Sequence, residues 1–189
     1  MIQKRTFILL AALFVLSEQQ MYAAVYSGTD GNISWNLDTE TGVLTLNGSG
    51  NGSMYDYGSI VIEGHFVSSA PWDAYYSSIK IVDIQPSVTS IGDYAFSGCS
   101  LKSVTIPDGV TSIGSHAFSY CRWLRSLTIP SSVSSIGDYA FAGCSDLKSI
   151  TIPEGVTSIE RCAFLALSQA FSIQSFFGVH SNRKFLLSA

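Results

Sequence analysis

The chain has 189 residues, of which 10 are Lys or Arg and 14 are Asp or Glu, so its formal net charge is −4. A mildly acidic chain without a run of basic residues is a poor candidate for binding nucleic acid or an anionic membrane. Its length suits one domain of ordinary size. Only 13% of the residues are charged, so Ser, Thr, Gly and Tyr supply much of the polarity, which is typical of extracellular β-rich proteins.

The first 24 residues have the composition of a secretory signal peptide. Lys4 and Arg5 form a positively charged start, residues 7–16 are apolar, and Ala23 and Ala24 supply small residues for cleavage. An apolar stretch of this length is too short to span a bilayer, which needs about 20 residues. We therefore predict a signal peptide at residues 1–24 and an exported mature chain, secreted or at the cell surface, without an integral membrane segment.

Residues 25–78 alternate apolar and polar residues and lack the repeat that follows them. The alternation in residues 32–37 and 43–46 predicts two strands, and residues 38–42 between them have the composition of a hairpin loop. A Gly/Ser/Asn stretch and an aromatic segment come next. Because the first unit of a repeat stack exposes its core and its strand edge, we predict that residues 25–78 form a β-hairpin N-terminal cap.

From residue 79 the sequence repeats itself at a nearly constant period. The pattern Ile-Gly-x-x-Ala-Phe-x-x-Cys starts at Ile91, Ile113 and Ile136, and an eroded copy starts at Ile159, so the offsets are 22, 23 and 23 residues. A second pattern, which begins with Leu and ends in Thr-Ile-Pro, lies between these copies. A period of about 20–29 residues is the signature of a leucine-rich-repeat solenoid.

One repeat unit carries only a stripe of apolar side chains and cannot bury it alone. Val104 and Ile106 point to the same face of a short strand, and Pro107 ends that strand. Stacked copies bury Leu on Leu, Ile on Ile and Phe on Phe in one continuous core. For residues 79–164 we predict coils that each contain a short strand, a turn, a second extended piece and one helical turn around Ala-Phe.

The unit IGDYAFxGCxxLKSxTIPxxVTS closely resembles the BspA-type leucine-rich repeat of bacterial surface proteins. The resemblance covers residues 79–164, and three consecutive copies make it specific. It implies a β-rich, right-handed leucine-rich-repeat solenoid and a secreted or cell-surface binding role, since some relatives are described as adhesins for host matrix proteins. It supplies no catalytic residues.

Residues 165–189 form an apolar tail in which the repeat is degenerate. The register predicts Gly at position 166 and Cys at position 167, but Ala166 and Leu167 stand there. One interpretation is an improvised cap that folds over the last coil. The other is a stretch that has left the original reading frame and was never selected to fit the repeat.

Cys99, Cys121 and Cys144 occupy one position of successive coils, so they are expected at roughly the 4.7–4.9 Å spacing of neighbouring strands. This spacing permits a disulfide in an oxidising compartment. The favoured interpretation is a ladder of small buried apolar side chains. Cys162 replaces the Tyr or His of its repeat position, and we expect it to be exposed. The cysteine spacing does not fit a compact zinc site, so no metal site is predicted.

The histidines do not indicate catalysis. His65, His116 and His180 lie in no metalloprotease or nucleophile motif, and no phosphate-binding loop occurs. His116 occupies the position of Tyr94 and Tyr139 in the neighbouring repeats, which makes it a variant of the repeat. We therefore predict that the protein is not an enzyme and has no cofactor.

Basic and hydroxyl side chains recur at fixed positions of the strand half of each repeat. Because they alternate with core residues, they are expected to point outward and to align along one face. This basic–hydroxyl strip consists of Lys80, Lys102, Ser103, Thr105, Arg125, Ser126, Thr128, Lys148, Ser149 and Thr151. One interpretation is a binding strip for acidic side chains, sulfate or glycan. The other is a solvated face whose charges, balanced by Asp93, Asp108 and Glu154, keep the strands from aggregating.

These observations predict a secreted or cell-surface leucine-rich-repeat module that binds an extracellular protein or glycan, in adhesion or recognition. The alternative is a structural or truncated fragment of a larger surface adhesin, with no binding activity of its own. Nucleic acid is not an expected partner, because the chain is acidic.

Overall fold

The computed structural model of the chain describes residues 24–62, 65–167 and 172–174. The predicted signal peptide lies outside these residues except for Ala24, and so does most of the predicted tail. The described part is built from short strands and one single-turn 3-10 helix at Asp73–Tyr75. The strands are β1 Val25–Asp30, β2 Ile33–Asp38, β3 Val43–Gly48, β4 Ser59–Ile62, β5 His65–Ser68, β6 Ile81–Ile84, β7 Ser90–Ile91, β8 Ser103–Thr105, β9 Ser112–Ile113, β10 Ser135–Ile136, β11 Ser149–Thr151, β12 Ser158–Ile159 and β13 Ser172–Gln174.

The first sheet joins the N-terminal segment to the repeats. β1, β2 and β3 pair antiparallel, and β6 and then β8 continue the same sheet in parallel. The loop between β2 and β3 is held by the Asp38 carboxylate, which accepts hydrogen bonds from the Glu40 and Thr41 amides. Leu37 and Leu44 face each other across this hairpin and are fully buried. The alternating sequence therefore places one face of the hairpin in the same core as the repeats.

A second parallel sheet collects one short strand from each repeat, in the order β12-β10-β9-β7. Ile91 pairs with Ile113, Ile113 with Ile136, and Ile136 with Ile159. The pairing offsets are therefore the sequence offsets of the repeat. The described part of the chain is a β-rich, leucine-rich-repeat-like fold in which successive units stack in parallel, as a unit that cannot bury its apolar stripe alone requires.

The centre of the core is a column of stacked phenylalanine rings from successive coils. The ring centroids of Phe96, Phe118, Phe141 and Phe164 are separated by 5.2, 5.4 and 5.6 Å. Trp72 begins the column at 5.8 Å from Phe96, and its indole N–H donates a 2.7 Å hydrogen bond to the Ala95 carbonyl. All five side chains are fully buried. The column therefore ties the residues that precede the repeat to the coils.

The prediction of one helical turn around Ala-Phe is wrong. The amides of Tyr94 and Phe96 donate to the carbonyls of Ser115 and Ala117 in the next coil, at 2.9 and 2.8 Å, instead of closing helical bonds within their own segment. Tyr94 also has a φ of 54°, which no right-handed helix contains. The segment is a series of tight turns whose alternate amides bond to the neighbouring coil. Coil-to-coil hydrogen bonds replace the helix.

The interpretation of the cysteines as small buried side chains agrees with the structure. Cys99, Cys121 and Cys144 are free thiols and almost completely buried. The Cys121 Sγ donates to the Phe96 carbonyl of the preceding coil at 3.1 Å, and Cys144 repeats this contact one coil later. Burial raises the pKa of the Cys144 thiol to about 12 and holds the pKa of the Cys121 thiol well above its usual value.

The expectation that Cys162 is exposed is wrong, since only 8% of its surface is accessible. Its backbone has the same positive φ, 55°, as the Tyr and His residues at this repeat position. Those longer side chains extend to the surface, whereas the Cys162 side chain is too short to do so. Its thiol makes a hydrogen bond with the Tyr139 side chain. The size of the side chain decides its exposure here.

Backbone pairing at the repeat's own offset continues beyond Phe164. β13 pairs in parallel with β11, with Ser172 opposite Ser149 and Gln174 opposite Thr151. Residues 168–171 and 175–189 of the predicted tail lie outside the described part. Within the described residues, no helix has the length and hydropathy needed to cross a membrane.

Candidate ligand-binding face

The strand half of each repeat presents its hydroxyl side chains on one exposed face. Ser103 is paired with Ile81 of the preceding strand and bridges Ser126 of the following coil, and Thr128 bridges Thr151. The apolar residues between the hydroxyls are buried, so strand alternation turns the hydroxyls outward. Neighbouring strands lie about 4.8 Å apart. The structure thus brings the hydroxyl members of the basic–hydroxyl strip together in two columns, which consist of Ser103, Ser126 and Ser149 and of Thr105, Thr128 and Thr151.

The four basic residues of the strip do not share one environment. Lys102, Arg125 and Lys148 are exposed. Lys80 is only partly exposed, and its Nζ donates a hydrogen bond to the Ser77 carbonyl of the N-terminal segment. Its aliphatic stem lies against Gly42, where a Cβ would come within 2.7 Å of the Lys80 Cγ. The structure therefore turns Lys80 toward the N-terminal segment and leaves the other three to define the basic column.

The acidic neighbour of Arg125 is not one of the predicted residues. The Arg125 Nε lies 3.9 Å from the Asp146 Oδ2, with 79% of the Arg125 side chain and 40% of the Asp146 side chain exposed. An ion pair this long and this exposed contributes little to stability and leaves the guanidinium accessible. The predicted partner Asp93 is engaged elsewhere, because its carboxylate accepts the Ser115 amide at 2.5 Å.

The same face extends beyond the strip into the N-terminal sheet, which was not predicted from the sequence. Thr45 of β3 lies opposite Asp83 of β6, and Asn36 of β2 lies opposite Thr45. Within β6 the two hydroxyl positions are taken by Ile81 and Asp83, so the columns of hydroxyls begin at β8. Strand alternation in residues 32–37 and 43–46 was the available signal, because it already assigned Asn36 and Thr45 to the polar face.

A second surface feature is a stack of three rings from successive coils. His116 lies between Tyr94 and Tyr139, at centroid distances of 4.7 and 5.0 Å and with planes within 9° of parallel. The Arg161 guanidinium lies 5.6 Å from the Tyr139 ring centroid, a cation–π contact. Burial lowers the pKa of His116, and the charges of Asp138 and Asp93 oppose that shift. The imidazole thus replaces a tyrosine ring in the stack, in agreement with its interpretation as a variant of the repeat.

A third surface feature, which was missed from the sequence, is a pair of exposed aromatic side chains in the second coil. Tyr120 is 41% exposed and Trp123 is 58% exposed. Two signals were available in the sequence. Tyr120 occupies a position that holds Gly98 and Gly143 in the adjacent coils, and Trp123 occupies a position that holds Asp146 in the next coil.

Among the residues that the structure describes, no group of three or more His, Cys, Asp or Glu side chains is placed to hold a metal ion. The surface chemistry is instead that of hydroxyls, cations and aromatic rings on a sheet.

The repeat unit seen in these coils is that of a known family. The model of the BspA type leucine rich repeat region matches residues 74–183 in six copies. The chain belongs to this family. The match begins within the single-turn helix and includes the strand Ser172–Gln174. None of the curated proteins matches the chain significantly.

Two solved bacterial structures are similar to the chain. A leucine-rich repeat protein from Bacteroides ovatus is 31% identical over 80% of this chain and 41% of its own, with a TM-score of 0.52. A leucine-rich repeat protein from Eubacterium ventriosum is 27% identical over 77% of this chain and 43% of its own, with a TM-score of 0.56. The chain therefore spans less than half the length of these relatives, and their full-length architecture is larger than the part it shares.

Proposed function

We propose that the protein is a secreted or cell-surface binding module that recognises an extracellular protein or glycan through the basic–hydroxyl strip and has no catalytic activity. The observation that carries this proposal is the alignment of identical hydroxyl pairs on successive parallel strands, with exposed Lys102, Arg125 and Lys148 beside them. Export is supported by the basic start and apolar segment of residues 1–24.

The physical basis of binding is pre-organisation. Ser and Thr side chains lose little conformational entropy when they are held by a ligand, and here they stand on strands that are hydrogen-bonded to neighbouring coils. Each hydroxyl offers one donor and two acceptor positions. The adjacent cations add attraction for acidic groups on a chain whose net charge is negative. A polymer with regularly spaced polar groups can therefore contact several coils at once.

A second proposal is that the chain forms part of a larger surface adhesin, in which other coils complete the binding face. It is favoured by the length comparison, because the chain spans 41% and 43% of its two solved relatives. A binding face built from repeated coils grows with their number. On this proposal, the chain alone binds more weakly than the longer protein.

Charge reversal within the strip tests the first proposal. The purified chain is applied to arrays of glycans and extracellular matrix proteins, and the captured partner is titrated with the parent and with Lys102→Glu/Arg125→Glu. We expect at least about tenfold weaker binding at low salt, and a smaller difference above physiological salt, where the Debye length is about 8 Å. Stability is expected to stay within about 0.5 kcal/mol of the parent.

Arg161→Glu is the matched control, because Arg161 is an exposed cation that contacts Tyr139 outside the strip. It reverses charge on the same protein and is expected to leave the titration almost unchanged. If the double variant binds as tightly as the parent at low salt, the strip is only a solvated face and the proposal fails.

A further inference from the structure

The turn that follows the phenylalanine of the second coil departs from the repeat in two ways. Where the neighbouring coils have Gly98 and Gly143, this coil has Tyr120. Between Cys and Leu it carries Arg122 and Trp123, whereas the third coil has Ser145 and Asp146 there and the first coil has a single Ser. We call Tyr120, Arg122 and Trp123 the aromatic turn. The coils otherwise share one repeat sequence, so several differences from that sequence in a single turn indicate a local role for this turn.

Tyr120 adopts a backbone conformation that suits glycine. Its φ is 57°, whereas Gly98 and Gly143 have φ values of 74° and 73° at the same position. Left-handed backbone at a bulky residue is strained, and Tyr120 has this backbone at a position where both adjacent coils carry glycine, the residue that avoids the strain. The ring lies over Gly143, where an added Cβ would come within 2.8 Å of the Tyr120 Cδ1. The next coil therefore accommodates this ring by having no side chain there.

Trp123 exposes a large aromatic surface that folding does not use. It is 58% exposed, whereas Trp35 and Trp72 are 5% and 0% exposed. A tryptophan normally buries most of its surface, and its burial is a main source of its stabilising effect. Because most of the Trp123 side chain is exposed, its burial stabilises the fold little. Folding stability therefore does not explain its presence.

Two cations flank Trp123 along the chain, Arg122 directly before it and Arg125 two residues after it. Arg122 is exposed, and its carbonyl accepts the Asp146 amide of the next coil at 3.1 Å. Asp146 is also the residue approached by the Arg125 guanidinium, at 3.9 Å. Asp146 therefore links the Arg125 side chain to the turn that contains Arg122 and Trp123. Since Arg125 belongs to the basic–hydroxyl strip, the aromatic turn and the strip form one continuous surface.

We propose that the aromatic turn is a subsite for an acidic saccharide chain, and this inference rests on the proposed binding function of the strip. The apolar C–H face of a sugar ring stacks on the Trp123 indole, with Tyr120 at its side. Arg122 and Arg125 bind the sulfate or carboxylate groups of the sugar, for which planar guanidinium groups are suited. The next sugars of the chain lie over the hydroxyls of Ser126 and Thr128.

The observations favour a saccharide over a protein partner. A stable protein interface buries about 800 Å² on each side and has an apolar centre without charges. Within the aromatic turn only two aromatic side chains are exposed, and the neighbouring residues of the sequence supply cations and hydroxyls. This composition fits a narrow ligand that has an apolar ring face, many hydroxyls and negative charges.

Intrinsic fluorescence provides a specific test, because Trp123 is the exposed member of the three tryptophans. The purified chain is titrated with a sulfated heparin-derived hexasaccharide at low salt, in the presence of the neutral quencher acrylamide. We expect the sugar to lower the quenching constant toward that of Trp123→Phe, whose remaining tryptophans are buried. In calorimetry, Trp123→Ala is expected to weaken binding by about tenfold or more. The fully desulfated hexasaccharide should bind weakly or not at all.

Three results would overturn the inference, and each leads to a separate conclusion about the strip. If the hexasaccharide binds with unchanged quenching and Trp123→Ala binds like the parent, while Lys102→Glu/Arg125→Glu binds weakly, the strip binds but the aromatic turn does not. If the hexasaccharide fails to bind, the saccharide is wrong and the array screen alone decides the strip's function. If an oligoglutamate peptide protects Trp123 as well as the sugar does, the partner is an acidic protein.

Discussion

Two columns of stacked rings run along the coils, and they differ in how strictly the residue type is kept. Within the repeats, the inner column extends from Phe96 to Phe164, and all of its rings are fully buried phenylalanines. The surface column consists of Tyr94, His116 and Tyr139, which stack at similar distances but are only partly buried. Similar stacking thus accompanies constant residues inside and variable residues outside. Burial, more than ring stacking, restricts which residue can occupy a repeat position.

The difference follows from what surrounds each ring. An inner ring is enclosed by neighbouring coils, so a change of volume leaves a cavity or a clash. An outer ring borders water on one side and can be replaced by a smaller or more polar group. Cys162 continues the outer position with a thiol and the same positive φ. The positive φ at this repeat position therefore does not depend on which side chain the residue carries.

The largest expected effect comes from breaking the inner column. Phe118→Ala removes a fully buried ring with a ring on both sides and should destabilise the protein by about 3–5 kcal/mol. Because each coil depends on its neighbours, unfolding should remain one cooperative transition. Chemical denaturation, followed by circular dichroism, measures the shift of the midpoint.

The matched change in the surface column is His116→Ala, which removes a ring from an equivalent place in the stack. Its expected cost is about 1 kcal/mol, the range of an aromatic pair beyond its buried area. Equal destabilisation by the two variants would contradict the conclusion that burial distinguishes the columns. A midpoint for Phe118→Ala that equals the parent's would contradict the stacked core itself.

The repeat was the part of the fold that could be predicted from the sequence. Identical residues at a constant offset imply identical environments, so Phe118 and Val104 could be assigned to the core without coordinates. The outward hydroxyls, such as Ser126 and Thr128, followed from strand alternation. These predictions succeeded because they depend on periodicity, and the sequence contains several copies of the repeat.

What failed depended on hydrogen bonds and side-chain packing between coils. The turns around Ala95 and Phe96 look helical in one repeat, but the next coil supplies carbonyls at the right spacing to replace the helical bonds. Lys80 turns away from the strip because Gly42 leaves space for its stem. Trp123 was missed because its only signal is the type of one residue, at a position where the next coil has Asp146. Such contacts between units are not visible in the pattern of one unit.

A smaller effect concerns the pH dependence of the surface column. The pKa of His116 lies below its usual value of 6.5 because the ring is partly buried. The unfolded chain therefore binds a proton more readily, so stability is fully present above about pH 6.5 and falls as the pH drops toward the folded pKa. His116→Tyr matches the neighbouring coils and removes this dependence. Unfolding free energies at about pH 7.5 and pH 5 measure it.

We expect the parent to lose stability relative to His116→Tyr across this interval, by less than Phe118→Ala costs, since the ring is partly exposed and solvent screens it. The variant keeps the ring stack, so its stability at the higher pH should be close to the parent's. A parent that gains stability relative to the variant on acidification would mean that Asp138 and Asp93 outweigh burial.

The smallest expected change in stability is at Tyr120, which extends the comparison to a column of glycines. Tyr120→Gly restores the residue of the adjacent coils at a φ of 57°. It relieves a left-handed conformation that costs a side chain about 1–2 kcal/mol, and it adds about 0.5–1 kcal/mol of chain entropy to the unfolded state. The denaturation midpoint should therefore stay near the parent's or rise slightly, while binding of the sulfated hexasaccharide weakens.

Gly143→Ala is the control for this prediction. Its Cβ would meet the Tyr120 ring and its positive φ disfavours a side chain, so it should destabilise the parent. A large loss of stability in Tyr120→Gly would show that the ring is a structural part of the coil, and the strain would then need no functional explanation.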